Sequence, residues 1–66
     1  MNNTHTGWVV RDDDSGYWLR ESMNWFDPRL EQATIYSTRK DAKAKAEDGE
    51  SVVKVEWQER VVKEVG

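Results

Sequence analysis

Apolar and polar residues alternate most regularly at the C-terminal end of the chain. From 53 to 65 the odd positions read Val, Val, Trp, Glu, Val, Lys and Val, so five of the seven are apolar, against two of seven at the even positions from 52 to 64. A period of two predicts a strand with one buried face. Because a typical strand has only ~5–6 residues, this one either bends at Gln58-Glu59 or projects beyond its neighbours.

A projecting strand end would expose unpaired backbone groups, which favour pairing with another chain. The sequence therefore suggests a homodimer formed through residues 58–65.

A β-hairpin is predicted near the N-terminus. Two runs rich in strand-forming residues, 7–11 and 17–20, flank the turn-forming cluster Asp12-Asp13-Asp14-Ser15-Gly16. A turn over 13–16 would give Gly16 the left-handed conformation that glycine adopts without steric cost. An odd-length loop then separates two apolar sets, with Trp8, Val10 and Trp18 on one face and Val9, Tyr17 and Leu19 on the other. One face should meet a helix, and the other is either covered by residues 23–32 or open to a partner.

The middle of the chain is less regular. Residues 23–32 show no strand alternation, but Asp27-Pro28 resembles a helix cap followed by proline at the first helical position. This pair predicts a helical turn over 28–32, with Trp25 and Phe26 as its apolar contacts with the sheet. Residues 33–37 read as a short third strand.

A helix follows, with Thr38 as its N-cap and Asp41 near a capping-box position. Strong helix formers fill 39–48, and Gly49 is the expected stop. Ala42 and Ala46 form a narrow stripe of small residues that lets the helix lie close to a sheet. The predicted fold class is α+β, a mainly antiparallel sheet of three to four strands in ββ-β-α-β order with one helix on one face. Residues 1–6 are expected to be a disordered tail, and 7–66 a single domain.

Composition narrows the classes of protein. The chain has 66 residues and no Cys, which excludes disulfides and Cys-based zinc sites. Its sequence lacks a run of 18 apolar residues and the features of a signal peptide at its start, so a soluble cytoplasmic protein is expected. A core this small rarely supplies more than ~3–5 kcal/mol. Four tryptophans therefore serve either as large core residues or as exposed anchors for a partner.

Residues that carry catalytic or metal chemistry are sparse. The Asp12–Asp14 cluster fails the calcium-loop pattern, because Gly16, Tyr17 and Met23 fall where an acidic or amide group, glycine and glutamate are needed. His5 has neither a second His nor a Cys to share a metal. Since no serine lies in a nucleophile-elbow context, we expect no enzyme activity, no metal and no cofactor.

A basic segment offers an alternative function. Arg39, Lys40, Lys43 and Lys45 place four positive charges on the predicted helix, within a chain of net charge -3. They form either a solvated face or a phosphate-binding surface. In the second case the protein is a nucleic-acid-binding module, and a sheet aromatic, Tyr17 or Trp18, stacks on a base. The acidic surplus permits a lesser alternative, mimicry of nucleic-acid phosphates.

The chain also resembles small proteins encoded by bacteriophages and prophages, especially of Gram-positive hosts. The matching residues lie within 7–57: Trp8-Val9-Val10, Gly16-Tyr17-Trp18-Leu19, Ala33 with Tyr36 and Thr38, Ala42 with Ala46, and Val52-Val53-Lys54-Val55. The resemblance implies no catalytic residues. It implies a protein that binds and modulates a host or phage protein, including a host defence complex, in the host bacterial cytoplasm.

The favoured hypothesis is therefore a small non-enzymatic protein that binds a protein partner. Its predicted anchors are Trp25 and Phe26, in the irregular segment, and Trp57.

Overall fold

The computed structural model describes residues 4–59 and 61–65. These residues form one antiparallel sheet of five strands, in the order β3-β2-β1-β4-β5, and one helix. The strands are β1 (His5–Asp12), β2 (Trp18–Arg20), β3 (Trp25–Asp27), β4 (Glu50–Gln58) and β5 (Val61–Glu64), the helix α1 is Arg39–Lys45, and two 3₁₀ turns span Glu21–Met23 and Leu30–Gln32. The predicted α+β class is confirmed, with more strands than expected.

The first hairpin forms where the sequence predicts it. The Asp12 N–H donates to the Tyr17 carbonyl at 2.8 Å, and Gly16 has the expected positive φ of 77°. However, Arg11 pairs with Trp18, so an even number of residues separates the strands. A change of one residue in register moves a side chain to the other face. The predicted grouping of Trp18 with Trp8 and Val10 is therefore wrong, and Trp18 shares a face with Val9.

The C-terminal alternation belongs to two strands. Gln58 pairs with Val61 and Trp57 with Val62, so the chain reverses between Gln58 and Val61, and Glu59 adopts a left-handed φ of 53°. The predicted bend is confirmed, and it is a full turn between two strands. The alternative prediction, one long strand that projects beyond its neighbours, is wrong. Because the register changes parity at the turn, Val62 lies on the face of Trp57, while Val61 lies on the opposite face.

The segment between the hairpins differs from the prediction. Trp25–Asp27 is a strand, β3, which pairs with β2. A helical turn does follow, but Arg29 occupies its N-cap position, and Asp27 instead accepts a hydrogen bond from the Arg29 N–H at 2.9 Å. The predicted strand over 33–37 is reduced to one bridge between Tyr36 and Trp8, with hydrogen bonds of 2.9 and 2.7 Å.

Helix α1 begins as expected and ends early. The Thr38 hydroxyl accepts from the Asp41 N–H at 3.1 Å, which confirms Thr38 as the N-cap. The helix ends at Lys45 rather than 48, since Glu47 and Glu50 form a local turn. In this turn the Glu50 carboxylate accepts from the Glu47 N–H at 3.0 Å, an alternative to helical bonding.

Both faces of the sheet are covered. Val9, Trp18 and Val55 form a buried cluster on one face, packed against the partly buried Leu30, Ala33, Ile35, Val53 and Val62. We call this the loop-covered face, because residues 30–35 lie over it. Val10 points to the opposite face, the helix-covered face, where α1 packs on β1 and β4 and Ala42 is fully buried.

The N-terminal end of the described chain is part of the sheet. β1 begins at His5, and His5 and Thr6 pair with Trp57 and Glu56 of β4. The ordered structure thus starts before the predicted boundary at residue 7. The rest of the predicted tail, residues 1–3, lies outside the described residues. No helix among the described residues is long and apolar enough to cross a membrane.

Candidate interaction surfaces

The most exposed large apolar side chains lie at the β3 edge of the sheet. Trp25 is 62% exposed and Met23 is 61% exposed. They flank Asn24, whose left-handed φ of 49° and hydrogen bond to the Glu21 carbonyl at 3.0 Å make the connection from β2 to β3 short. We call Met23 and Trp25 the β3-edge surface. Met23 was missed at the sequence level, because nothing in its neighbourhood predicts exposure.

A buried carboxylate with two arginine partners lies on the strand that carries Trp25. Asp27 is 4% exposed, and its two carboxylate oxygens accept from Nε and Nη2 of Arg29, each at 3.0 Å. Arg20 lies 3.6 Å from the same carboxylate. The hydrogen bonds from Arg29 lower the pKa of Asp27 to about 2. The two-point contact from Arg29 restricts the orientation of the carboxylate, and Arg20 and the strand pairing tie β3 to β2. β3 therefore presents Trp25 from a defined position.

The structure does not bring the three predicted anchors together. Phe26 is half-buried and points to the helix-covered face, opposite to its neighbour Trp25. Trp57 is half-buried on β4, with its ring stacked on His5 at a centroid distance of 4.6 Å. Since β2 and β1 separate β3 from β4, the strands that carry Trp25 and Trp57 are about 14 Å apart. One compact partner site cannot be centred on all three.

A groove lies at the other end of the sheet. It has a volume of about 410 Å³ and is lined by Thr4, Glu56, Trp57, Gln58, Glu59, Val61 and Lys63. Val61 is 57% exposed and Val65 is 37% exposed. The sequence pattern assigned both valines to a buried face. The sequence prediction missed the reversal between Gln58 and Val61, because this stretch of sequence carries no Gly, Asn or Asp.

A polar cluster joins the end of α1 to the 3₁₀ turn that follows β2. Glu21 accepts from the Tyr36 hydroxyl at 2.8 Å, and its other oxygen lies 3.0 Å from the Lys45 ammonium. The hydrogen bonds from Lys45 and Tyr36 lower the pKa of Glu21. Burial, together with the Glu21 carboxylate, raises the pKa of Tyr36 to about 12. Glu21 is therefore ionised and Tyr36 protonated near neutral pH, and the cluster ties the helix to the sheet.

The basic residues of α1 divide into two groups. Lys45 is engaged by Glu21, whereas Arg39, Lys40 and Lys43 are exposed and, among the described residues, no ion pair involves them. Helical spacing places Arg39 and Lys40 next to Lys43 on one side of the helix. The predicted base-stacking role cannot belong to Trp18, because this side chain is only 6% exposed, so Tyr17, at 41%, is the available aromatic.

Two carboxylates at the acidic hairpin tip accept hydrogen bonds from serine side chains. Asp12 accepts from the Ser15 hydroxyl at 2.7 Å, which lowers the pKa of Asp12, and Asp13 accepts from the Ser51 hydroxyl at 2.7 Å. Across residues 4–59 and 61–65, no group of three or more metal-ligating side chains could hold an ion. The carboxylates of Asp12 and Asp13 thus act as local structural groups in this arrangement.

Comparison with known proteins gives no match to a protein family, to a curated protein or to a solved structure.

Proposed function

We propose that this protein is a small non-enzymatic binding protein that modulates a protein partner through its β3-edge surface. The exposure of Trp25 carries the proposal. A tryptophan buries about 150–250 Å² when it is packed, and the hydrophobic core of this short chain has only five buried apolar residues among those described. The fold nevertheless leaves Trp25 62% exposed.

Trp25 also has the properties of a binding hot spot. Hot spots are enriched in Trp, and an anchor that is already ordered before binding costs less to immobilise. The pairing with β2 and the Arg20–Asp27 ion pair hold β3, and Met23 extends the apolar surface on the other side of Asn24. A partner that covers Met23 and Trp25 would gain apolar contact at a low cost in ordering.

The resemblance to small phage-encoded proteins supports the cytoplasm of a bacterial host as the place where this protein works. Its partner is then a host or phage protein. A host defence complex is one such partner.

The proposal is tested with three tagged baits in nuclease-treated bacterial lysate. The baits are the wild-type chain, Trp25→Ser and Tyr17→Ser, the last being the loss of an exposed aromatic side chain outside the β3-edge surface. We expect one protein to be retained near stoichiometric yield by the wild type and by Tyr17→Ser, and to be lost with Trp25→Ser. Equal retention by all three baits, with folding of each verified by circular dichroism, would exclude the β3-edge surface.

A second candidate function has its own supporting observation. Arg39, Lys40 and Lys43 form an exposed basic group on α1, so a nucleic-acid-binding role through the helix is the alternative proposal. Binding of this kind weakens steeply as salt rises. Fluorescence anisotropy with labelled single-stranded DNA and RNA at low salt tests it. The triple variant R39Q/K40Q/K43Q should abolish binding, and no binding by the wild type would remove this alternative.

A further inference from the structure

The outer edge of β5 has backbone groups that no other strand uses. The Val65 N–H donates to the Lys54 carbonyl at 3.0 Å. In an antiparallel pair the hydrogen-bonded positions alternate, so residues 61, 63 and 65 direct their backbone groups toward β4. Val62 and Glu64 direct theirs outward. Because β5 is the last strand of the sheet over the described residues, these outward groups have no strand partner.

The side chains beside this edge form a regular pattern. Val61, Lys63 and Val65 lie on the helix-covered side of β5, and the groove of about 410 Å³ is next to them. Lys63 stands opposite Glu56 of β4, so a negative charge already flanks it on the inner side. A strand added at the β5 edge would therefore lie beside an exposed valine, a lysine and a second exposed valine, in that order.

A second copy of the chain fits this edge poorly. In a two-fold antiparallel pairing that engages both outward residues, Val62 of each copy pairs with Glu64 of the other. This register places Val61 opposite Val65, but it also places Lys63 directly opposite the Lys63 of the second copy. Like charges directly opposite each other destabilise a pair of strands. Lys63, at the centre of this pairing, therefore disfavours the homodimer expected from the sequence.

We propose that the β5 edge binds an extended segment of another protein by strand addition, and that this segment has an apolar, an acidic and an apolar residue at alternate positions. Its acidic side chain lies opposite Lys63 and extends the charge order Glu56, Lys63, acid across three strands. Its apolar side chains cover Val61 and Val65. These positions are not hydrogen-bonded in the added pair, so the opposed side chains approach most closely there, with Cα atoms about 4.5 Å apart.

This site is separate from the β3-edge surface, since β3 and β5 are the two outer strands of the sheet. The two proposals therefore fail independently. A Trp25→Ser variant should bind the extended segment as well as the wild type does.

The test is an NMR titration of the full chain with two capped peptides that differ at one position. One contains Val-Thr-Glu-Thr-Val and the other Val-Thr-Lys-Thr-Val. We expect the acidic peptide to bind about fivefold to tenfold more tightly, because it replaces a like-charge pair by an opposite-charge pair. The amides of Val62 and Glu64 should gain protection from hydrogen exchange, whereas those of Val61 and Lys63 are protected before the peptide is added.

Two variants make the test specific. Lys63→Glu should reverse the preference between the peptides. Glu64→Pro removes an outward N–H and leaves the donors to β4 in place, a substitution that edge strands tolerate. This variant should lose binding of the acidic peptide. If Glu64→Pro fails to fold, the reversal by Lys63→Glu decides the question alone.

Three results would overturn the proposal. They are equal binding of the two peptides, binding without protection at Val62 and Glu64, and concentration-dependent protection of these two amides in the protein alone. The last result would identify a second copy as the occupant of the edge.

Discussion

The two faces of the sheet are covered by different means. On the loop-covered face, Trp18 and Val55 meet irregular chain, and the core is made of large side chains. On the helix-covered face, a helix of seven residues lies over Val10 with a single fully buried residue, Ala42. Irregular chain has few backbone hydrogen bonds of its own, so its position depends on side chains. We infer that the loop-covered face supplies most of the stability, whereas the helix-covered face contributes a smaller apolar contact around Ala42 and Val10.

The largest expected effect is on the loop-covered face. Trp18→Ala removes the largest buried side chain, at a cost of about 3–5 kcal/mol. A core of this size rarely supplies more than that, so we expect the variant to be largely unfolded at 25 °C in circular dichroism and urea titration. Trp25→Ala deletes the same side chain from an exposed position and should change stability by only about 0.5 kcal/mol. Similar losses in the two variants would contradict the assignment of Trp18 to the core.

The next largest loss of stability is expected from a substitution at Gly7, on the same face. A Cβ at this position would meet Cγ2 of Ile35 and the Tyr36 carbonyl oxygen, the latter at 3.1 Å. Gly7→Ala should therefore destabilise the protein by about 1–3 kcal/mol through overpacking. The double variant Gly7→Ala/Ile35→Ala should lose less than the sum of its single losses, because the second change removes the clashing methyl group.

Gly49→Ala serves as the control for this experiment. Apart from its chain neighbours, no atom of the described residues lies within 4 Å of a Cβ added there, but the φ of +82° is strained for alanine. It should cost about 1 kcal/mol whether or not Ile35 is truncated. If Ile35→Ala also reduced the loss of stability caused by Gly49→Ala, the smaller loss in the Gly7→Ala/Ile35→Ala variant would have a cause other than the contact between Gly7 and Ile35.

Val9 and Val10 allow the most direct comparison of the faces. They are neighbours on β1, both are fully buried, and they point to opposite sides. The cost of a cavity depends on how well its surroundings collapse. A short helix can settle onto the sheet more readily than the cluster around Trp18 can repack. We expect Val9→Ala to lower the free energy of unfolding by about 2 kcal/mol and Val10→Ala by about 1 kcal/mol. Equal losses in chemical denaturation would remove the proposed difference between the faces.

The features predicted correctly from the sequence are those with a local physical cause. Thr38 begins the helix because its hydroxyl caps the Asp41 N–H, and Gly16 closes the first hairpin because it accepts a positive φ. The assignment of faces failed because it depends on the parity of a loop. One residue of difference moved Trp18 to the other side of the sheet.

The candidate surfaces were harder to predict for a related reason. β3 has only three residues, which is too short for alternation to be detected. The turn before β5 uses Glu59 in a left-handed conformation that glutamate seldom adopts, so the apolar pattern continued through it unbroken. The exposure of Trp25 fits its predicted role, whereas the edge formed by Val61 and Lys63 could be recognised only from the strand pairing.

The ion pair of the buried Asp27 carboxylate makes stability on the loop-covered side depend on pH. Its pKa is lowered from 3.8 to about 2 in the folded protein, chiefly by the hydrogen bonds from Arg29. A depressed carboxyl pKa stabilises the fold at pH values above the unfolded pKa, and this contribution is lost as pH falls through the folded pKa. The melting temperature of the wild type should therefore fall between about pH 4 and pH 2.

Asp27→Asn should have a lower melting temperature than the wild type at pH 7, and the difference should shrink toward pH 2. Arg29→Lys keeps the charge but loses the two-point contact, so it should retain part of the pH dependence. Thermal unfolding followed by circular dichroism from pH 2 to 7 measures all three proteins. Parallel curves for the wild type and Asp27→Asn would exclude Asp27 as the source.

The smallest effect is expected at the polar cluster of the helix-covered side, and Tyr36 reports it. The pKa of Tyr36 is raised to about 12, first by burial and then by the Glu21 carboxylate. Glu21→Gln removes the second cause only, so the Tyr36 pKa should fall part of the way toward its ordinary value of 10. Lys45→Met leaves the carboxylate in place and should not lower it. Ultraviolet titration of the phenolate, with Tyr17→Phe as the background to isolate Tyr36, distinguishes these variants.

If the Tyr36 pKa fell in both variants, Lys45 would hold the helix over Tyr36 and keep water away from it. This single ion pair would then hold the helix on the sheet. A fall with Glu21→Gln alone would mean that the helix stays in place without Lys45, held by Ala42 and its neighbours on β1 and β4.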